Sequence, residues 1–285
     1  MTVFRRPMDF SGSWYPARRE ACQREIEAYW RRPGAEEDPP ARLGVVPHAG
    51  WVYSGALAAR VFRALSGDAG VQLVIVLGGH LRRDDPIVAM TEGTWDTPFG
   101  PFEIHTGFTE RLGELTPVRL ETESRYLPDI STELQLPFAK LKFPRAELLA
   151  LRVPPGPLAV ELGRTLAAYL TDSKLDAVAV ASTDLTHYGS NYAFEPKGRG
   201  PQALEWVRTV NDPAFIRAVE AGDGASLLER AESDRSACSA GSVAAINEIA
   251  QGRGQRFRVF DYATSADVAG GDTGNFVGYV GGVYA

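Results

Sequence analysis

Short uninterrupted apolar runs recur along the chain and alternate with segments of helical periodicity. Leu43 to Pro47 (LGVVP), Gln72 to Leu77 (QLVIVL), Glu147 to Val153 and Asp176 to Ala181 (DAVAVA) lack the in-out alternation of a half-exposed strand. Runs of this kind suit strands covered on both faces. Between them, Ala17 to Trp30 reads as an early helix. Leu57, Val61, Phe62 and Leu65 recur at helical spacing behind Ser54, which the pattern makes the N-cap. Pro157 to Leu170 carries leucines at 158, 162, 166 and 170 on one face. Further helices are expected from about Pro201 to Arg230 and from about Cys238 to Ala250.

The middle is less regular. Ile87 to Met90 and Phe102 to His105 read as short strands, and Ser131 to Lys142 as a helix that Pro137 breaks or kinks. Arg256 to Thr264 and Phe276 to Tyr284 close the chain as strands, expected at an antiparallel edge. The alternation predicts one α/β domain over residues 1–285, with a mixed, mostly parallel sheet and helices on both faces. No linker or internal repeat divides it.

Composition narrows the function classes. The 285 residues are 44% hydrophobic and 23% charged, an ordinary globular balance. Net charge is −6, so nucleic acid and anionic membranes are not expected partners. The arginines near the N-terminus have no apolar run behind them, and no stretch approaches the roughly 18–20 apolar residues that span a bilayer. Two cysteines make no disulfide framework and point to a reducing, cytoplasmic compartment. The chain has no P-loop, no G-x-S-x-G elbow and no G-x-G-x-x-G after a strand.

The four histidines are informative by position. His48 ends VVPH, His80 ends VIVLGGH, and His187 follows the DAVAVA strand in AVASTDLTH. Ligand sites in open α/β sheets lie beyond the carboxyl ends of strands, so three strands deliver imidazoles to one rim. Imidazole serves as a metal ligand or as an acid–base group. His105 follows a weaker strand and reads as structural. Cys238 follows Asp234 and Ser236, both N-cap residue types, and opens the apolar helix CSAGSVAAINEI. There it reads equally as a thiolate ligand or as a small buried hydrophobe. Cys22 reads as structural. Ser182, Asp184 and His187 are too close in sequence for a hydrolytic triad.

Several motifs resemble one family, in order: SGSWYPA (11–17), PHAGWVYSG (47–55), VLGGH (76–80), TWDTPFG (94–100), ELQLPF (133–138), STDLTHYG (182–189), ACSAG (237–241) and YATSADVAGGDTGNFVGYV (262–280). The chain is similar to the Memo family, also called AmmeMemoRadiSam system protein B, along nearly its whole length. That resemblance implies a fold like the class III extradiol dioxygenases. It implies a metal held by His48, His80 and Cys238, with Asp184 and His187 facing the same pocket and His187 as the acid–base group. Asp129-Ile130 stands where many relatives have Glu-His, Gly79 where a serine is often found, Leu81 where a second histidine occurs in some, and Ser239 in place of a glycine.

The activity so implied is that of a non-haem Fe(II) oxidoreductase of dioxygenase type, acting with O2 on a small organic, phenolic substrate. The thiolate admits Cu or Zn. His187, oriented by Asp184 or Ser182, would move a proton. Two other classes fit the same residues: a non-catalytic metal, redox or partner-binding protein, and a zinc hydrolase with His187 as base. The family name also implies association with AmmeMemoRadiSam system protein A and a radical SAM protein.

Overall fold

The structure, a computed structural model, describes residues 4–34, 38–67, 70–268, 270–271 and 273–285. The described strands are β1 (Arg5–Arg6), β2 (Leu43–Val46), β3 (Leu73–Gly78), β4 (Ile87–Ala89), β5 (Thr94–Trp95), β6 (Phe102–Glu103), β7 (Val118–Leu120), β8 (Glu147–Arg152), β9 (Ala177–Ser182), β10 (His187–Gly189), β11 (Phe257–Thr264) and β12 (Asn275–Tyr284). Nine of them form one sheet in the order β10-β12-β2-β9-β3-β8-β4-β7, with β11 also pairing β12. Its centre, β2-β9-β3-β8, is parallel. On one side β12 runs antiparallel to β2, and on the other β4 runs antiparallel to β8. A small second sheet joins β1, β5 and β6.

The central strands show why their sequences lack polar alternation. Leu73, Ile75 and Leu77 of β3 enter one core, while Val74 and Val76 enter the other. In β9, Ala177, Ala179 and Ala181 face the first core, and Val178 and Val180 the second. The first core is closed by the helices Pro157–Ser173, Asp212–Ala221, Gly224–Asp234 and Ala240–Gln251. The second is closed by Arg19–Trp30, Trp51–Ala64 and Leu136–Lys142. Full burial of each Val, Leu or Ile contributes about 1.5–3 kcal/mol, so both faces need cover. The molecule is therefore a single α/β domain with a mixed sheet flanked by helices.

Several local expectations are corrected. Ser54 is not an N-cap: the helix starts at Trp51 behind Gly50, and Ser54 sits one turn inside, donating to the Ala49 carbonyl at 3.0 Å. Segment 131–142 is two helices, Ile130–Glu133 and Leu136–Lys142, and Pro137 lies in the first turn of the second. Proline is tolerated there because the first-turn N–H has no intrahelical acceptor. Cys238 precedes its helix by two residues, with Ser239 at the N-cap. Asp234 instead ends the helix before it. The terminal strand β12 is antiparallel as expected but interior, because β10 and β11 pair along its outer side. Among the described residues no helix is long and apolar enough to cross a membrane.

Candidate metal centre

The chain turns out of β2, β3 and β9 at neighbouring carboxyl ends. His48 follows β2, His80 follows β3, and β9 between them ends at Ser182. After β3, Gly79 takes a left-handed conformation (φ 109°), and its N–H donates to Ser131 Oγ at 2.6 Å. This turn carries His80 over the sheet edge. Beyond β9, the Asp184 carboxylate accepts the His48 backbone N–H at 2.7 Å. The Asp184 carbonyl accepts the Cys238 N–H at 3.1 Å, and Cys238 Sγ accepts the Asp184 N–H at 3.2 Å. The cysteine is thus pinned by the β9 loop, and the helix start that follows it is secondary.

Three donor atoms converge. His48 Nε2 lies 3.1 Å from His80 Nε2 and 3.2 Å from Cys238 Sγ, and all three lie within 4.8 Å of one another. Atoms held about 2.0–2.3 Å from one metal lie about 3–3.8 Å apart, and both separations from His48 Nε2 fall in that range. The outer nitrogens are anchored as well. His48 Nδ1 is 3.1 Å from Ser182 Oγ, which Gln135 Nε2 also meets at 3.1 Å. His80 Nδ1 is 3.4 Å from Asp129 Oδ2. Such partners protonate Nδ1, leave Nε2 free for a metal and fix the ring.

The electrostatics favour the thiolate, and they push both His48 and His80 toward the charged form, so a metal binding here would displace their Nε2 protons. Burial opposes ionisation of Cys238, yet His48 and His80 hold its thiol well below the ordinary range. Burial likewise opposes the charged form of His80, but Asp129 and Cys238 raise it to about 10. Asp129 is buried, and His80, Ser131 and Arg152 still keep it well below the usual carboxylate range. Arg152 belongs to a buried chain of alternating charge in which Glu121 pairs with both Arg152 and Arg6. Burial pushes the Cys22 thiol up to about 12, fitting an inert structural residue. His105 is tied to Glu147 at 2.5 Å and to the Tyr169 hydroxyl at 2.6 Å, away from the cluster.

A cavity of about 840 Å³ opens beside the cluster and is lined by His48, His80, Asp184 and His187. His187 begins a short strand of its own, β10, and is half-buried. Neither Ser182 nor Asp184 orients it by a hydrogen bond. Its Nδ1–H donates to the Leu185 carbonyl at 3.0 Å, because a carbonyl can only accept, and Tyr192 packs edge-on against the ring at 5.0 Å. In the neutral ring that bond puts the proton on Nδ1 and the lone pair on Nε2. Burial raises the Asp184 carboxyl, and His48 and His187 oppose this. Behind His187, the fully buried Asp212 accepts the Thr186 N–H at 3.1 Å and the Tyr262 hydroxyl at 2.7 Å, and burial lifts it to about 6. Gln135 and Ser182 lie within the motifs, but their support of His48, like that of Asp129 for His80, works through tertiary contacts with segments distant in sequence, and Asp212 carried no motif signal at all.

A family model described as Memo-like protein matches residues 6–283. The chain belongs to the Memo family. A MEMO1 family protein of Methanopyrus kandleri is 29% identical over 282 residues, covering 94% of this chain and 95% of that one. A MEMO1 family protein of Aeropyrum pernix is 27% identical over 274 residues, covering 91% and 92%. The crystal structure of an uncharacterized Escherichia coli K12 protein covers 83% of this chain and 98% of its own at TM-score 0.46 and 16% identity. In this Memo family member the three candidate ligands, two histidines and a cysteine, sit on three separate segments, and Ile130 and His80 both line the cavity.

Proposed function

We propose that the protein is a metal-dependent oxidoreductase that acts with O2 on a small phenolic substrate. The supporting observation is the convergence of two imidazole Nε2 atoms and a thiolate, with both imidazoles lining a cavity that His187 also lines. Held by His48, His80 and Cys238, Fe(II) would supply a Lewis-acidic, redox-active centre with coordination positions to spare. His187 accepts a hydroxyl proton at Nε2, since the Leu185 carbonyl occupies its Nδ1–H. Asp184, buried nearby, offsets the positive charge that then forms on the imidazole. Trp14, Tyr53 and Tyr192 line the cavity and shield an aromatic ring from water. The two free thiols support a reducing, cytoplasmic setting.

The test is anaerobic loading with Fe(II), then O2 uptake against a panel of catechols. Uptake with at least one catechol is expected. His187→Gln should retain the metal and lower kcat by about 10²–10⁴-fold, the usual range for losing an acid–base group. No uptake with any phenolic compound contradicts the proposal. The thiolate itself favours one alternative, because sulfur also suits Cu(I) or Zn(II). Stoichiometric copper or zinc without turnover identifies a metal-handling or redox-sensing protein, whereas ester hydrolysis by the zinc form identifies a hydrolase.

A further inference from the structure

Apart from the histidines His48, His80 and His187, the charged residues that line the cavity beside the metal centre are all acidic. Among the described residues that line it there is no lysine or arginine, although the chain has 30 basic residues. Two carboxylates do line it, Asp184 and Glu25. Glu25 comes from the helix Arg19–Trp30, is half-buried, and accepts the Tyr29 hydroxyl at 2.6 Å. That bond holds its carboxylate in place at the wall. Trp14 and Tyr53 also line the cavity and remain 38% and 41% exposed, high values for such large rings. Exposed aromatic surface at a cavity marks a contact site, and the faces of Trp and Tyr attract cations.

Away from the three histidines and the metal centre, a carboxylate or phosphate group entering this space meets Glu25 and the negative faces of aromatic rings, with no guanidinium or ammonium to pair with. A partly enclosed cavity screens that repulsion less than bulk water does. A protonated amine meets the same groups favourably. The metal ligands would engage the hydroxyl end of a phenolic ligand, so this discrimination falls on its other substituent. We propose, resting on the phenolic-substrate reading above, that the cavity selects an aromatic ligand bearing a protonated amine. Counterparts bearing a carboxylate or phosphate are rejected.

The test uses three catechols of matched length: 4-(2-aminoethyl)catechol, 4-ethylcatechol and 3-(3,4-dihydroxyphenyl)propionate, carrying positive, zero and negative charge. Each is titrated by calorimetry into the Zn(II)-loaded protein, which binds without turnover, and into the metal-free protein. The expected order is amine, ethyl, acid, with about tenfold or more between amine and acid. Glu25→Gln, which keeps an acceptor for Tyr29, should shrink the advantage of the amine over the ethyl compound. The proposal is overturned if the acid binds as tightly as the amine, if none of the three binds, or if Glu25→Gln leaves the preference unchanged. The expected order in protein that takes up no metal would uphold the charge preference and sink the metal reading, so the two fail separately.

Discussion

His80 offers Nε2 to the cluster because Asp129 holds its other nitrogen, and Asp129 stays ionised because Arg152 and Ser131 stand beside it. Removing that carboxylate while keeping its shape should loosen the ligand without removing it. Asp129→Asn is expected to weaken metal affinity about 10–100-fold, the usual effect of losing such a support. A competition titration with a chromophoric chelator measures this, and unchanged affinity would show that the 3.4 Å contact does not act on the metal. Asp212 gives a separate, pH-dependent signature. Its folded value, about 6, lies above the ordinary carboxyl value of 3.8. As pH rises from about 4 to about 6 the unfolded chain releases its proton first, so this group lowers stability across that window, by about 3 kcal/mol in all. Asp212→Asn lacks that loss. Urea unfolding at pH 4 and pH 7 should show the variant gaining on the parent at the higher pH, and a constant difference would contradict the assignment.

Elements were legible in the sequence where burial dictated composition. QLVIVL and DAVAVA could only be strands covered twice, and both are central in the sheet. The errors came where local propensity met tertiary contacts. Ser54 has the residue type of a cap, yet the helix begins a turn earlier because the Trp51 N–H donates to the Trp14 carbonyl, far away in sequence. The strand that His187 begins gave no signal in the sequence, because β10 is only three residues long and exists through pairing with β12. Three of the five proposed site residues could be read from their place after strands. Cys238 could not be placed by the same rule, since the β9 loop rather than its own helix fixes it. Helix packing is also tested at this scale. Gly163 of the helix Pro157–Ser173 faces the helix Ala240–Gln251, and an added Cβ would collide with the Ala245 carbonyl oxygen. Gly163→Ala should therefore destabilise by about 1–3 kcal/mol by separating the two helices. Calorimetric melting checks it, and an unchanged or higher Tm would mean that the helices part without cost.

Across the whole molecule, strand order does what no single motif can. His48 and His80 lie 32 residues apart and Cys238 a further 158 along the chain, yet β2-β9-β3 adjacency and the Asp184 bonds bring their donor atoms within 4.8 Å. Metal analysis tests this most directly. Protein purified without added metal, then equilibrated anaerobically with Fe(II), should hold about one ion per chain, while His48→Ala and Cys238→Ala should stay folded by circular dichroism and hold none. Full metal content in both folded variants would contradict the centre described above.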